Sequence, residues 1–249
     1  MDSHDIKTYR LYDELAWLFP ILTPPEEYAE EAECWKTVLR KNLGPGRHRI
    51  LELGIGGGHN LSHLTGEFEA TAVDLSPLML EQCRKLNPDV TLHLGDMRNV
   101  RLGKIFSAVL IHDAINYLLN EKDLFLTFET TAAHLLPGGL LIVGPDHFRE
   151  TFQDRRSEYA THTRDGLELT YFEHTFDPDP AGTSLETIMV YMLREGEKLD
   201  LQLDRHVTGI FSKATWDRLY REAGFSYTEC EFHLPSLDQP YILLVGVRQ

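Results

Sequence analysis

Ile50-Leu51-Glu52-Leu53-Gly54-Ile55-Gly56-Gly57-Gly58-His59-Asn60 is the stretch whose reading decides the fold. Residues 49–53 read as a short apolar strand. Four glycines in the five positions 54–58 then force an abrupt turn, and Asn60-Leu61-Ser62-His63-Leu64 opens a helix. Strand, glycine turn and helix start together suit the polar part of a nucleotide-like ligand: glycine lets it lie against bare backbone, and the helix start offers free N–H donors. A dinucleotide fingerprint, G-x-G-x-x-G, counted from Gly54 needs glycine at 59, where His59 stands. What fits is acid-x-G-x-G-x-G, on Glu52, Gly54, Gly56 and Gly58. An acid there suits a cationic ligand and repels a pyrophosphate.

Downstream of this stretch, strands and helices alternate. Residues 70–74 read as a strand, and Ser76-Pro77 starts a helix running through Lys85. Strands follow at 91–94, ending on Gly95-Asp96, and at 108–111, the latter nearly all apolar, as a strand buried on both faces should be. A helix over 124–136 stops at Pro137-Gly138-Gly139, and 140–143 is a fifth strand. This alternation predicts an α/β fold with a doubly wound parallel sheet. Glu52, Asp74 and Asp96 fall at three successive strand ends, the edge where such sheets bind their ligands.

Upstream, apolar and aromatic residues at helical spacing (Tyr9, Tyr12, Leu15, Ala16, Phe19) predict a helix over 6–20, ended by Pro20 and Pro24-Pro25. A second helix is expected over 26–42. Beyond the fifth strand, residues 147–206 lose the helical alternation. Strand patterns at 167–172, 184–193 and 199–203 predict an antiparallel insertion. Ser212 N-caps a helix ending before Gly224, and 227–233 with 241–247 form a closing antiparallel pair. The expected division is one domain over 1–249: a helical lid (1–45), a ligand-binding core (46–146), the insertion (147–207) and the rest of the core (208–249).

Composition narrows the partners. The 24 Lys and Arg stand against 39 Asp and Glu, a formal net charge of -15, which disfavours nucleic acids and anionic membranes. Cys34, Cys83 and Cys230 are too few and too scattered for a disulfide framework and suit a reducing cytoplasm. Met1-Asp2-Ser3-His4-Asp5 carries no signal-peptide pattern.

The motif on residues 52–58 resembles motif I of the class I S-adenosylmethionine (SAM) methyltransferases. Asp74-Leu75-Ser76-Pro77-Leu78-Met79-Leu80 resembles their D-x-S-P-x-M-L run, and Leu135-Leu136-Pro137-Gly138-Gly139-Leu140-Leu141 their L-x-P-G-G-x-L run. The resemblance implies a seven-stranded Rossmann-like sheet with SAM as cofactor and S-adenosylhomocysteine as product. It implies that Glu52 faces the cofactor's amino-acid end beside Gly54, Gly56 and Gly58, and that Asp74 accepts from the ribose diol. Leu75 and Met79 would pack on the adenine, with Asp96 and Met97 meeting its edge. Tyr12 would close over the cofactor from the lid, and His112 would stand near the methyl.

The segment after the fourth strand, Ile111-His112-Asp113-Ala114-Ile115-Asn116-Tyr117-Leu118, faces the acceptor. It lacks the Asp/Asn-Pro-Pro-Tyr/Phe run of enzymes that methylate nucleobase or glutamine amino groups. Asp113 and Asp146 sit near the metal-binding places of catechol-type O-methyltransferases, but Asp146-His147 replaces the Asp-Asn pair, so no metal is expected. The order of elements from Pro145 onward resembles the amino-sugar N,N-dimethyltransferases of macrolide biosynthesis and, more distantly, glycine N-methyltransferase. Their histidine after strand four aligns with Tyr117. An amine acceptor has to lose a proton before it attacks; candidate bases or orienters are His112, Asp113, Tyr117, His147 and His206, with His112 and Tyr117 the preferred catalytic pair. The expected activity is methyl transfer from SAM to a small-molecule amine, with a homodimer possible. Small-molecule O-methylation, a SAM-binding module without turnover, an NAD-type oxidoreductase, and a protein or RNA methyltransferase are the rivals, the acidic charge counting against RNA.

Overall fold

A computed structural model describes residues 6–237 and 239–249; the segment 1–5 discussed above lies outside them. Two sheets build the molecule. The larger has seven strands in the order β10-β11-β5-β4-β1-β2-β3. Five of them, β1 (Arg49–Leu53), β2 (Glu69–Asp74), β3 (Thr91–Leu94), β4 (Phe106–Ile111) and β5 (Leu135–Val143), run parallel. β10 (Thr228–Phe232) and β11 (Tyr241–Val247) close the edge antiparallel. Strand order reverses between β1 and β4, so the ends of β1, β2 and β4 border a crevice. Ile50, Leu51, Leu53, Ala108, Val109, Leu110 and Ile111 are all fully buried, as strands covered on both faces must be.

Helices cover this sheet on both sides. α2 (Ala29–Leu43) lays Trp35, Val38 and Leu39 on the face shared by Ile50, Leu110 and Ile142. α5 (Glu121–Ala133) and α6 (Lys213–Glu222) pack Leu124, Phe128, Trp216 and Tyr220 on the other. Asn120 and Ser212 cap these two helices through side-chain oxygens that accept from Asp123 N (2.9 Å) and Thr215 N (3.1 Å). α4 (Pro77–Leu86) starts likewise, Ser76 Oγ accepting from Met79 N at 3.2 Å.

The second sheet is an antiparallel meander of β6 (Arg156–Arg164), β7 (Leu167–Phe176), β8 (Ser184–Glu195) and β9 (Lys198–Gly209). It carries one strand more than expected. β6 escaped notice because Arg156-Ser157-Glu158-Tyr159-Ala160-Thr161-His162-Thr163-Arg164 has no apolar face: its one large hydrophobic, Tyr159, is 78% exposed. Leu169, Met189, Tyr191 and Leu193 pack inward against Leu11, Leu15, Leu18 and Leu22.

Three expected elements are corrected. The helix over 6–20 is instead two 3-10 turns (Arg10–Tyr12, Ala16–Leu18) and a short helix α1 (Phe19–Leu22) with Pro20 in its first turn, where a missing N–H costs nothing. Tyr9 is left-handed (φ 60°), and the chain around it bonds to β9: Tyr9 N donates to Arg205 O at 3.1 Å and Arg205 N to Lys7 O at 3.2 Å. The expected helix over 124–136 ends at Ala133 because Leu135 already pairs with Phe106. The register then slips to Ala108↔Leu140, so Pro137-Gly138-Gly139 bulges within β5, outside its pairing with β4. The helix after the glycine turn, α3 (His59–Ser62), is a single turn.

Candidate active site

The glycine turn is pinned from β2. Gly54 N and Ile55 N both donate to Val73 O, at 2.8 and 3.0 Å. Asp74 then ties the turn to the start of α4, its Oδ2 accepting from Gly56 N at 2.7 Å and its Oδ1 from Ser76 N at 2.8 Å. Burial pushes the Asp74 carboxyl up while these backbone donors pull it down, and burial wins. The two carboxylate oxygens offer about four lone-pair sites, more than these backbone donors fill.

Around the turn, several buried polar atoms have no hydrogen-bond partner: Glu52 Oε2 and both side-chain polar atoms of Asn60. Such orphans are rare in native proteins and mark places where a ligand completes the bonding. Burial pushes the Glu52 carboxyl up to about 8; nearby His112 opposes this and Asp113 adds to it.

The turn opens into a cavity of about 760 Å³ that runs from the sheet edge to the inner face of the second sheet. Its lining includes six carboxylates (Asp13, Glu52, Asp74, Asp113, Asp146, Glu173) and, among the described residues, no Lys or Arg. A low-dielectric enclosure of that composition selects for cations.

Of the residues singled out from sequence, Tyr12, Glu52, Gly54, Gly56, Gly58, Asp74, Leu75, Met97, His112 and Tyr117 all line this cavity. Met79 does not. It is fully buried beneath the turn, its Cε 3.7 Å from where a Cβ on Gly56 would stand. Asp96 is also off the lining, although its neighbours Gly95 and Met97 are on it. Its carboxylate accepts from Arg98 N at 2.8 Å and is gripped by the Arg98 guanidinium at 2.6 Å, which holds it below the usual carboxylate range.

His112 departs from the role of a base. Its Nε2 lies 2.9 Å from Glu31 Oε2 and its Nδ1 3.0 Å from Asp113 Oδ1. Burial alone would lower its pKa, but these two carboxylates outweigh it and hold the ring well above its ordinary value. His112 is therefore an imidazolium that clamps α2 of the lid to the end of β4, with no lone pair to take a proton. Because the folded value is raised, its stabilisation is full below the ordinary value near 6.5 and is lost as pH rises through the folded value. Glu31→Gln is expected to lower the melting temperature at pH 7 by the equivalent of about 1–3 kcal/mol and to flatten the decline as pH rises above neutrality, read by calorimetry.

Tyr117 sits in a chain of hydrogen bonds. Its Oη is 2.7 Å from Tyr12 Oη and 2.7 Å from His206 Nδ1, and His206 Nε2 is 2.9 Å from Asp204 Oδ2. Asp204, Glu31 and Glu173 were not foreseen. For Asp204 a signal existed: it is two residues from His206, hence on the same face of a strand. Glu31 and Glu173 lie in ordinary acidic surroundings in the sequence and carry no such mark.

A methyltransferase-domain family matches residues 50–139. The dTDP-3-amino-3,4,6-trideoxy-alpha-D-glucopyranose N,N-dimethyltransferase of Streptomyces venezuelae is 34% identical over 201 residues, 80% of this chain and 84% of that one. The dTDP-3-amino-3,6-dideoxy-alpha-D-glucopyranose N,N-dimethyltransferase of Streptomyces fradiae is 31% identical over 205 residues, 81% of this chain and 78% of that one. The chain belongs to the SAM-dependent methyltransferases. The crystal structure of Streptomyces venezuelae DesVI superposes on this methyltransferase with a TM-score of 0.80 at 30% identity, covering 100% of this chain and 99% of that one. A SAM-bound amino pentose methyltransferase from Micromonospora echinaspora shares the fold, with a TM-score of 0.78 at 24% identity over 89% of this chain and 92% of that one. The cofactor is SAM, and the acceptor is a small molecule. Among the described residues, no helix is long and apolar enough to cross a membrane, and no group of three or more His, Cys, Asp or Glu is placed to hold a metal ion.

Proposed function

We propose that this methyltransferase N-methylates the amino group of a nucleotide-linked amino sugar. The observation that carries the reading is the cavity itself: six acidic side chains and no Lys or Arg line the place for the cofactor's sulfonium and ammonium and for the acceptor's protonated amino group. The Streptomyces relatives, N,N-dimethyltransferases of dTDP-linked amino sugars, supply the sugar.

The orphaned atoms fit the cofactor. Glu52 Oε2 would hold its ammonium and the Asn60 amide its carboxylate, while the open lone pairs of Asp74 would accept from the ribose hydroxyls. Leu75, 65% exposed at the cavity mouth, and Met97 border the adenine, with Met79 supporting the turn from beneath. Bound SAM supplies an electrophilic methyl on a sulfonium, and transfer is an in-line displacement in which positioning and exclusion of water do most of the work. Tyr12 and Tyr117 orient the acceptor nitrogen. The chain then acts as one unit, in which the lid and the insertion, packed on each other, close over the core together. The outer face of the insertion, with Tyr159, Phe172, Met192, Leu199 and Leu201 exposed, is the surface for a second copy. Three unpaired cysteines suit a cytoplasmic enzyme.

The test is a product assay with labelled SAM against dTDP-linked sugars that carry an amino group or a hydroxyl at the same carbon. Methylation of the amino sugars with the hydroxyl analogues at least 10²-fold slower is the expected result. Equal turnover of the hydroxyl series, or SAM binding with no turnover of any amine, would overturn the reading.

A further inference from the structure

Asp204 fixes the direction of the hydrogen-bond chain that starts at the lid. It is fully buried, and its Oδ1 accepts from Arg10 N (3.0 Å) and Arg205 N (2.8 Å), its Oδ2 from Leu11 N (2.8 Å). Three backbone donors make it an anion, and burial is outweighed by His206 and these N–H groups, which hold its carboxyl below the usual range. An anion only accepts, so His206 Nε2 carries hydrogen and donates to it; in the neutral ring Nδ1 then keeps its lone pair. Tyr117 Oη, 2.7 Å from that lone pair, must donate to it. Its single hydrogen being used, Tyr117 has to accept from Tyr12 Oη, 2.7 Å away. Each link is dictated by the one behind it, and Tyr12 is left facing the cavity with lone pairs and no hydrogen to give.

Resting on the amine reading above, we propose that Tyr12, Tyr117, His206 and Asp204 form a one-way proton wire that discharges the acceptor's ammonium before methyl transfer. The ammonium N–H bond breaks as its proton joins Tyr12 Oη. The Tyr12 hydrogen passes to Tyr117 Oη, and the Tyr117 hydrogen to His206 Nδ1. Three bonds to hydrogen break and three form, both phenols end neutral, and the positive charge moves from substrate to imidazole, beside the Asp204 carboxylate. Nothing is oxidised or reduced. The freed lone pair on nitrogen is the nucleophile.

The groups around His206 allow this transfer. Tyr9 and Tyr12 pack edge-on to its ring from the N-terminal segment, at 5.7 and 5.5 Å between centroids, and Tyr117 does so from the turn after β4 at 5.9 Å. Thr187 is its register partner on β8, and Arg205, next along β9, is committed to Glu186 at 2.7 Å. Asp113, Asp146 and Asp74 act on Tyr12 from the cavity side, and Asp146 and, from β8, Tyr191 act on Tyr117. Apart from paired Arg205, these neighbours are neutral or anionic.

His206→Asn keeps an amide oxygen near the place of Nδ1, which accepts a hydrogen bond but not a proton. Tyr117→Phe removes the middle of the wire and leaves the His206–Asp204 pair intact. For the wild-type enzyme, kcat/KM for a dTDP-amino sugar is expected to hold a plateau below the acceptor's own pKa. In either variant it should fall about 10²-fold at pH 7 and climb tenfold per pH unit until the acceptor loses its proton in bulk water. SAM affinity, read by calorimetry, should change less than threefold. A loss equal at every pH, or a retained plateau, would overturn the wire; should one variant not fold, the other decides. Wild-type enzyme that methylates no amine would sink the amine reading and the wire with it, whereas amine turnover with unchanged profiles would sink the wire alone.

Discussion

Glu52→Gln is expected to raise the melting temperature of the cofactor-free enzyme at pH 8 and to weaken SAM binding about 10- to 150-fold. Both effects follow from one buried carboxyl. In the unfolded chain it ionises near 4.5, whereas burial in the fold pushes it up to about 8. Between those values the unfolded chain has shed a proton that the folded chain retains. Stability therefore falls as pH rises across this window, by up to about 1.4 kcal/mol per pH unit. A neutral amide removes that slope. Its NH₂ group lacks an acceptor at the position of Oε2, which costs about 1–3 kcal/mol, so the net gain at pH 8 is a few kcal/mol at most, roughly 3–8 °C for a chain of this size. Binding moves the other way, since a charge-assisted hydrogen bond to the cofactor's ammonium, about 1.5–3 kcal/mol, is lost.

The wild-type enzyme should also release a proton on binding SAM below pH 8, with affinity rising as pH approaches that value. Titration calorimetry in buffers of different ionisation enthalpy counts the proton directly. A Glu52→Gln protein that still released it, or that melted lower at pH 8 than wild type, would show that the carboxyl is not held neutral in the empty site.

The part of the site nearest the glycine turn was legible because its determinants are local. Gly54, Gly56 and Gly58 encode a turn within five residues, Asp74 follows an apolar run that can only be a strand, and Ser76-Pro77 announces a helix. The strand-end acids were legible by position but not by engagement. Asp96 stands where the pattern puts it, yet the guanidinium two residues on has already taken it. What the pattern could not carry is contact over long separations. Tyr12, Tyr117 and His206 meet across 105 and 89 residues, and no periodicity in any one segment speaks of the other two. His112 shows the same limit in charge: a histidine at a strand end reads as a base until Glu31, 81 residues away, is seen holding its proton in place. The N-terminal segment failed as a helix for a similar reason. Its amphipathic spacing was real, but Tyr9 and Lys7 exchange backbone bonds with β9 instead of within the segment, and tertiary pairing overrides a weak local preference.

Gly54→Ala is expected to cost about 2–5 kcal/mol of stability and to abolish measurable SAM binding, while Gly56→Ala costs about 1–2 kcal/mol. Both glycines are left-handed, with φ of 75° and 55°, and each alanine pays about 1–2 kcal/mol for that backbone. They differ in what the new methyl meets. At Gly56 nothing lies closer than Met79 Cε at 3.7 Å, an ordinary contact. At Gly54 the Cβ would fall 2.2 Å from Ala114 Cβ and 2.9 Å from Met97 Cε. Met97 can swing aside, but a Cβ moves only with its backbone, so the turn Asp113–Tyr117 has to shift, adding about 1–3 kcal/mol of overpacking. That turn carries Asp113 against His112 and Tyr117 against Tyr12 and His206. Displacing it unseats the lid clamp and the acceptor side together with the cofactor cradle. Melting curves with and without SAM distinguish the two variants: Gly56→Ala should still gain stability on adding cofactor, and Gly54→Ala should not. If Gly54→Ala melted no lower than Gly56→Ala and kept the cofactor shift, the close packing of β1 against the turn after β4 would not be what shapes this site.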